Sequence, residues 1–160
     1  KLNYLDIPVR SSISIALQDR LKSASIAKHC PVCDGQTMHT VDTSLTSCGP
    51  VIFMKLERFS YRDGKPIRDV RSVDCLLQNQ KSILVVPTSS ADDSICEVSF
   101  RNSFSLVATI NHSGTLDNGH YTAFVKESSI WFQCNDKSVI RRSDLSVNNP
   151  LSYILCYVRQ

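Results

Sequence analysis

Between Asn111 and Asp136 the chain carries an imidazole, an amide and a carboxylate at spacings that a β-hairpin can bring together. The segments are Asn-His-Ser-Gly at 111–114, Gly-His-Tyr at 119–121 and Trp-Phe-Gln-Cys-Asn-Asp at 131–136. A histidine held by a neighbouring acceptor is the base half of a nucleophilic triad. If the hairpin turns about Glu127 and Ser128, Tyr121 lies opposite Cys134, Ala123 opposite Phe132 and Val125 opposite Ile130 on one apolar face. The other face then sets His120 opposite Asn135, Thr122 opposite Gln133 and Phe124 opposite Trp131. Opposed residues have Cβ atoms about 4.5–5.5 Å apart, within reach of a hydrogen bond between imidazole and amide. Glu-Ser is a poor two-residue turn, although a four-residue loop keeps the same pairing. The spacing predicts that His120 and Asn135 act together, the amide oxygen accepting from the imidazole Nδ1–H. Asp136 is a second candidate. It projects to the opposite face of a regular strand, and only a bulge or strand end turns it inward.

Cys30-Pro-Val-Cys33 has the spacing of a metal knuckle. Two thiolates two residues apart can point at one tetrahedral Zn²⁺, and a closed structural site needs four ligands. His29, His39 and Cys48 are the candidates for completing it from within the chain. The alternative is a knuckle turn that holds no metal. A redox role is disfavoured because no βαβ pattern surrounds the pair. None of the seven cysteines reads as a nucleophile. Cys134 falls on the apolar face of the hairpin, and Cys75, Cys96 and Cys156 lie in or beside strands. Cys48 sits in a turn that precedes a strand rather than a helix. Buried thiols are generally inert, so the chain by itself is expected to hydrolyse nothing.

These groups need a scaffold, and the hydrophobic pattern supplies one. Leu2 to Val9 has a strand texture ending at Pro8. From Ser12 to Lys22, Leu17 and Leu21 fall four apart with Ser14 able to cap, the pattern of a short amphipathic helix covering a sheet edge. Val51 to Phe59 reads as one strand that begins apolar, with Glu57 and Arg58 in solvated or ion-paired structural roles. The Asp-Gly pair in Arg62–Lys65 marks a tight turn. Ile83–Val86, Ile95–Phe100, Phe104–Ile110 and Leu151–Val158 read as further strands. Thr88–Ser94 and Ser143–Pro150 read as polar loops, Ser138–Arg142 as a short segment with a basic end, and Ser113–Asn118 as a mobile polar connector. The class is α+β, an antiparallel β-rich unit with few short helices and one finger-like excursion.

Composition narrows the function. A chain of 160 residues, 42% hydrophobic, suits one compact domain or a large piece of one. No apolar run reaches the roughly 18 residues of a membrane span, and Lys1–Asp6 does not read as a signal peptide. The net charge of +3 is mild and the basic residues are scattered, which argues against nucleic acid as partner. Seven cysteines, several inside apolar strands, fit reduced thiols and an intracellular setting, cytoplasmic or nuclear.

Asn111-His-Ser-Gly114, Gly119-His-Tyr121 and the aromatic strand ending at Asn135-Asp136 resemble the histidine box of the ubiquitin-specific proteases, papain-like cysteine peptidases. The resemblance extends back through Cys30-Pro-Val-Cys33 and Met54-Lys-Leu-Glu-Arg-Phe59, and forward to Tyr153-Ile-Leu-Cys-Tyr157. It implies the C-terminal half of one catalytic domain, with a finger-side segment over 1–50 and a palm bearing the histidine box over 51–160. It also implies a deubiquitinating thiol hydrolase acting on ubiquitin or a ubiquitin-like protein, with His120 as base and Asn135 or Asp136 as its orienting group. Gly119, Tyr121 and His112 take substrate-side roles by the same resemblance. Gly119 leaves room for the diglycine end of ubiquitin, Tyr121 packs beneath the base and His112 shapes the preceding loop. In the family a second Cys-x-x-Cys pair usually completes the zinc site, and here it would precede residue 1. The family's cysteine box, with the nucleophile and the oxyanion donor, likewise belongs upstream, so the upstream half of the domain is an expected partner. The competing expectation is a catalytically inactive scaffold of the same fold that binds ubiquitin or a ubiquitin-like protein.

Overall fold

A computed structural model describes residues 4–43, 48–75, 83–86, 102–143 and 149–160. Among them are one helix, α1 (Ile13–Leu21), and twelve strands. The strands are β1 (Leu5–Ile7), β2 (Ala24–Cys30), β3 (Gly35–Val41), β4 (Val51–Leu56), β5 (Phe59–Arg62), β6 (Lys65–Arg68) and β7 (Ile83–Val86). They continue with β8 (Asn102–Gly114), β9 (Gly119–Glu127), β10 (Ile130–Asn135), β11 (Ser138–Arg142) and β12 (Ser152–Arg159). The expected strand Ile95–Phe100 and loop Thr88–Ser94 lie outside the described residues.

The main sheet runs β1-β4-β12-β8-β9-β10-β11, with β7 pairing the first part of β8. Its pairings are antiparallel except β1 with β4, which is parallel. Two hairpins stand off it, β2–β3 and β5–β6. The Asp63-Gly64 turn of the second has both central φ angles positive, at 51° and 74°, as its residue types predict.

One face of the sheet carries the core. Met54, Leu56, Leu106, Leu155 and Tyr157 are buried there beneath Ile13, Ala16 and Leu17 of α1. Each such side chain contributes about 1.5–3 kcal/mol by leaving water. The helix is capped by Ser12, whose hydroxyl accepts from the Ile15 backbone N–H at 3.3 Å, rather than by Ser14. Ser12 is also the residue with extended backbone, which a cap requires.

Two irregularities of the β8–β12 pairing decide which residues face inward. Cys156 pairs with Ala108 but Tyr157 pairs with Leu106, so Val107 is an extra residue on β8. The inward phase therefore passes from Phe104 and Leu106 to Thr109 and Asn111, all buried. On β12, Ser152 pairs with Asn111 and Ile154 with Ile110, which leaves Tyr153 as the extra residue.

Val51 to Phe59 is not one strand. It breaks at Glu57 and Arg58, and Arg58 is the largest fully buried side chain among the described residues, 1% exposed. It is not solvated, and no described carboxylate pairs with it directly. Its guanidinium donates to the backbone carbonyls of Ser152, of Asp69 at 2.9 Å, of Arg71 at 2.9 Å and of Asn149 at 3.5 Å. Burial lowers its pKa, the charge of Asp69 works against that lowering, and the carbonyl dipoles supply the direct hydrogen-bond acceptors.

Candidate active site

The hairpin β9–β10 turns at Ser128 and Ser129, which both take positive φ, 46° and 72°. The observed pairs are Glu127 with Ile130, Val125 with Phe132 and Ala123 with Cys134, two positions away from the expected register. A two-residue turn with both φ angles positive strains any side chain, and two small serines bear it better than Glu127 would. A shift of two preserves the side-chain phase, so every residue keeps its expected face. His120 and Asn135 are then diagonal rather than opposite, at a separation long side chains still bridge. The structure brings them together: Nε2 of His120 and Oδ1 of Asn135 are 2.7 Å apart, at the exposed ends of the two strands. The bonded nitrogen is Nε2, not Nδ1. With Nε2–H donating to the amide oxygen, Nδ1 is left as the free acceptor, the arrangement a general base requires.

Asp136 does not enter this pair. The strand ends at Asn135, and Asp136 takes φ 49° as the first residue of the turn into β11. The carboxylate stays exposed there, and the imidazole's partner among the described residues is Asn135.

His112 is not in a loop. It lies within β8, paired with Tyr121, and is 4% exposed. Its ring packs against Tyr121 at 4.6 Å, Phe59 at 5.7 Å and Tyr153 at 5.9 Å between centroids. Burial and the nearby Arg68 charge lower its pKa, so the ring is held neutral. Tyr121 points to the face opposite His120 and packs on His112, so it is not beneath the base. Gly119 has an internal reason. A Cβ there would sit 2.0 Å from His112 Nε2 and 2.6 Å from the Ser113 carbonyl, so the imidazole and strand β8 occupy the space. Residues 115–118 form a closed turn, with Thr115 N–H donating to the Asn118 carbonyl at 2.8 Å and Asn118 N–H donating to Thr115 Oγ1 at 3.2 Å. Leu116 of that turn joins Asp6, Lys55, Glu57, Phe59, Ser60 and Tyr153 around a cleft of about 440 Å³.

Cys30 and Cys33 cap the β2–β3 hairpin. Hydrogen bonds from the backbone N–H groups of Cys33 and Val32 lower the Cys30 pKa and favour its thiolate. That donor chemistry fits half of a tetrahedral thiolate site. The expected ligands from within the chain do not complete it. His29 faces Asp34 at 3.2 Å and His39 bonds Thr37 at 2.9 Å. No group of three or more His, Cys, Asp or Glu converges among the described residues. Elsewhere burial raises the thiols of Cys48 and Cys156 and pushes Cys75 up to about 12. Thiols so raised are poor nucleophiles. Cys96 lies outside the described residues.

Sequence reasoning missed two arginines, Arg58 and Arg68. Both act through backbone carbonyls brought close only by the fold; Arg58 lies within the Met54–Phe59 motif, which does not reveal its carbonyl partners, and Arg68 carries no local signal. No helix among the described residues is long and apolar enough to cross a membrane.

Residues 7–157 match the profile of the family described as Ubiquitin carboxyl-terminal hydrolase. Human ubiquitin carboxyl-terminal hydrolase 15 is 30% identical over 140 residues, covering 82% of this chain and 13% of the relative. Mouse ubiquitin carboxyl-terminal hydrolase 51 is 47% identical over 60 residues, 37% of this chain and 9% of the relative. The chain thus spans a small fraction of the length of these curated relatives. The solved SAGA Ubp8/Sgf11/Sus1/Sgf73 DUB module bound to ubiquitin aldehyde superposes with a TM-score of 0.71 at 20% identity, covering 98% of this chain and 36% of that one. With the family profile running nearly end to end and the papain-like fold shared, this chain belongs to the ubiquitin carboxyl-terminal hydrolase family, as the C-terminal part of a ubiquitin-specific protease catalytic domain.

Proposed function

We propose that the chain is the base-bearing part of a deubiquitinating thiol hydrolase, which cleaves the isopeptide or peptide bond after the C-terminal glycine of ubiquitin or a ubiquitin-like protein. The observation that carries this reading is the His120–Asn135 hydrogen bond through Nε2, exposed at the ends of β9 and β10, which leaves Nδ1 open as an acceptor. In this reading Nδ1 takes the proton of the nucleophilic thiol and the thiolate attacks the scissile carbonyl. The imidazolium then returns the proton to the departing amine, and the same base activates water to release the acyl group. Asn135 holds the ring through both steps. It supplies no negative charge, and the thiolate offsets the imidazolium instead.

The nucleophile and the oxyanion donors come from the upstream half of the domain. Supporting this, burial depresses the acidity of Cys48, Cys75 and Cys156, and Cys30 and Cys33 have knuckle geometry. The cleft beside Leu116 and Tyr153, lined by charges of both signs with Asp6 paired to Lys55, is where an extended tail of the modifier would lie. Cys30 and Cys33 would hold half of a structural Zn²⁺ site whose role is to tie the finger together.

The test is the full-length protein treated with ubiquitin bearing a C-terminal electrophile, alongside His120→Ala. The expected result is one adduct, on a cysteine outside these 160 residues, with turnover of a ubiquitin C-terminal amide reduced about 10²–10⁴-fold in the variant. An adduct on a cysteine of this chain, or full turnover by His120→Ala, would overturn the assignment. Ubiquitin binding with no adduct would make the protein an inactive scaffold.

A further inference from the structure

We propose that Arg68 and His112 form a clamp that positions His120, with Arg68 as a positioning residue; the assignment rests on His120 being the base. Strand β12 begins at Ser152, opposite Asn111, so β8 runs on for three residues with no strand partner on that side among the described residues. His112 N–H finds the Leu151 carbonyl at 2.9 Å. The carbonyls of His112 and Gly114 have no β12 donor opposite them, and an unpaired strand end of this kind frays unless another group satisfies it. Arg68, the last residue of β6, satisfies both. Its Nη2 donates to the His112 carbonyl and its Nη1 to the Gly114 carbonyl at 2.9 Å. Phe59 supports the guanidinium from below, 5.8 Å from its ring centroid.

Those two carbonyls flank Ser113, and Ser113 is the strand partner of His120. The far side of the same rung is fixed by the His112 ring, which fills the space beside Gly119 and is boxed by Phe59, Tyr121 and Tyr153. Gly114 and Gly119 close the next rung, and Gly114 takes φ 118°, a conformation open to glycine alone. The base is therefore set from two directions. Arg68 holds the β8 backbone in place, and the buried imidazole of His112 sets how closely β9 approaches it. Neither group touches the reacting atoms. Their effect is on where the His120 ring stands relative to Asn135 and the incoming thiol, and a misplacement of about 1 Å in such a group costs up to about a hundredfold in rate.

The test uses full-length protein, with Arg68→Met, Arg68→Gln and Arg68→Lys compared by turnover of a ubiquitin C-terminal amide. Active sites are counted by titration with the ubiquitin electrophile, so that misfolded protein drops out of kcat. For Arg68→Met the expected result is a fall in kcat per titrated site of about ten- to a hundredfold, with KM within about twofold. Arg68→Lys keeps N–H donors for both carbonyls and should recover most of the loss. Arg68→Gln keeps one amide donor and should lie between, and it decides the matter if the methionine variant does not fold. A merely structural arginine predicts the opposite pattern: fewer titrated sites and a lower Tm with kcat per site unchanged, which would overturn the proposal. A wild-type protein that is never titrated, or full activity in His120→Ala, would instead overturn the functional reading beneath it.

Discussion

Two antiparallel hairpins carry the side chains with chemical potential, and the fold supports them differently. The hairpin β9–β10 is flanked by β8 on one side and β11 on the other, within the main sheet. The hairpin β2–β3 pairs with nothing else among the described residues. It leaves Ile26, Met38 and Val41 exposed at 43%, 67% and 41%. The first hairpin delivers a finished pair, because the orienting amide comes from the adjacent strand and the ring beneath is locked by a third. The second delivers two thiols and the backbone donors of their own turn, and nothing more. A site whose parts lie on neighbouring strands of one sheet is completed when that sheet forms. A site whose ligands are spread over separate hairpins waits for the others, and an isolated two-stranded hairpin is marginal in water.

The sharpest test of that contrast is at the finger. If Cys30 and Cys33 hold half of a zinc site, Cys33→Ser in the full-length protein should weaken zinc binding by about a thousandfold or more, since four thiolates share the binding energy of a structural site. Metal content by mass spectrometry should fall from one zinc per chain to near zero, while His120→Ala leaves it at one. Equal zinc content in wild type and Cys33→Ser would break the comparison by removing the ligand role.

The next effect in size is at the palm. Asn135→Ala removes the one partner of the His120 Nε2–H among the described residues. About a hundredfold should be lost in kcat, or about 2.7 kcal/mol of transition-state stabilisation. Asn135→Asp keeps an acceptor oxygen at the same place and should retain most of the rate. A loss in Asn135→Asp as large as in Asn135→Ala would mean that the amide does something other than accept this hydrogen bond. Neither change should alter zinc content.

What could be read from the chain follows the same division between local and long-range causes. The turn at Asp63-Gly64, the helix and the shared face of His120 and Asn135 depend on residue types within one turn or one strand period, and they were legible. The register was misplaced by two because it depends on which pair of residues tolerates positive φ. The conclusion about His120 and Asn135 survived because that slip keeps the period-two phase. The bulge at Val107 was not legible: Phe104 and Leu106 continue in phase to Ala108 and Ile110 in sequence, yet Ile110 is 37% exposed while Thr109 is buried. A tertiary demand, to seat both Leu106 and Asn111 on the core face, overrode the pattern. Gly119 is legible as a close-approach glycine, but the His112 ring beside it is not, because that ring lies seven residues away on another strand. The sequence around Arg58 points to a solvated or ion-paired structural role. Its real environment is four carbonyls from segments separated by up to 94 positions, which no window on the sequence contains.

Arg58 also marks how the palm differs from the finger in stability. Arg58→Met keeps the apolar stem and removes the donors, leaving the buried carbonyl of Ser152 and the half-buried carbonyls of Asp69 and Arg71 beside an apolar side chain. Stability should fall by at least about 2 kcal/mol, because unsatisfied buried acceptors cost more than the relief of one desolvated charge returns. Denaturant melts followed by Trp131 fluorescence would register this, since that ring packs against the core. An unchanged midpoint would mean that the carbonyls find water once the guanidinium is gone.

The smallest effect separates the two hairpins most cleanly. Ser129 sits at φ 72° in the palm turn and Asp34 at φ 48° in the finger turn. A left-handed conformation costs a non-glycine residue about 1–2 kcal/mol, and glycine gives back about 0.5–1 kcal/mol through its freer unfolded chain. Ser129→Gly should therefore stabilise by roughly 0.5–1 kcal/mol. Because β9 and β10 belong to the cooperative sheet, that gain should appear in the global melting midpoint. Asp34→Gly relieves similar strain but gives up the contact of its carboxylate with His29. Any gain it makes is confined to a hairpin with no neighbours in the described sheet, so it should appear only as altered amide exchange within residues 24–41. A global shift from Asp34→Gly equal to that from Ser129→Gly would show that the finger unfolds together with the palm, which is the outcome a zinc site tying it to the rest of the domain would produce.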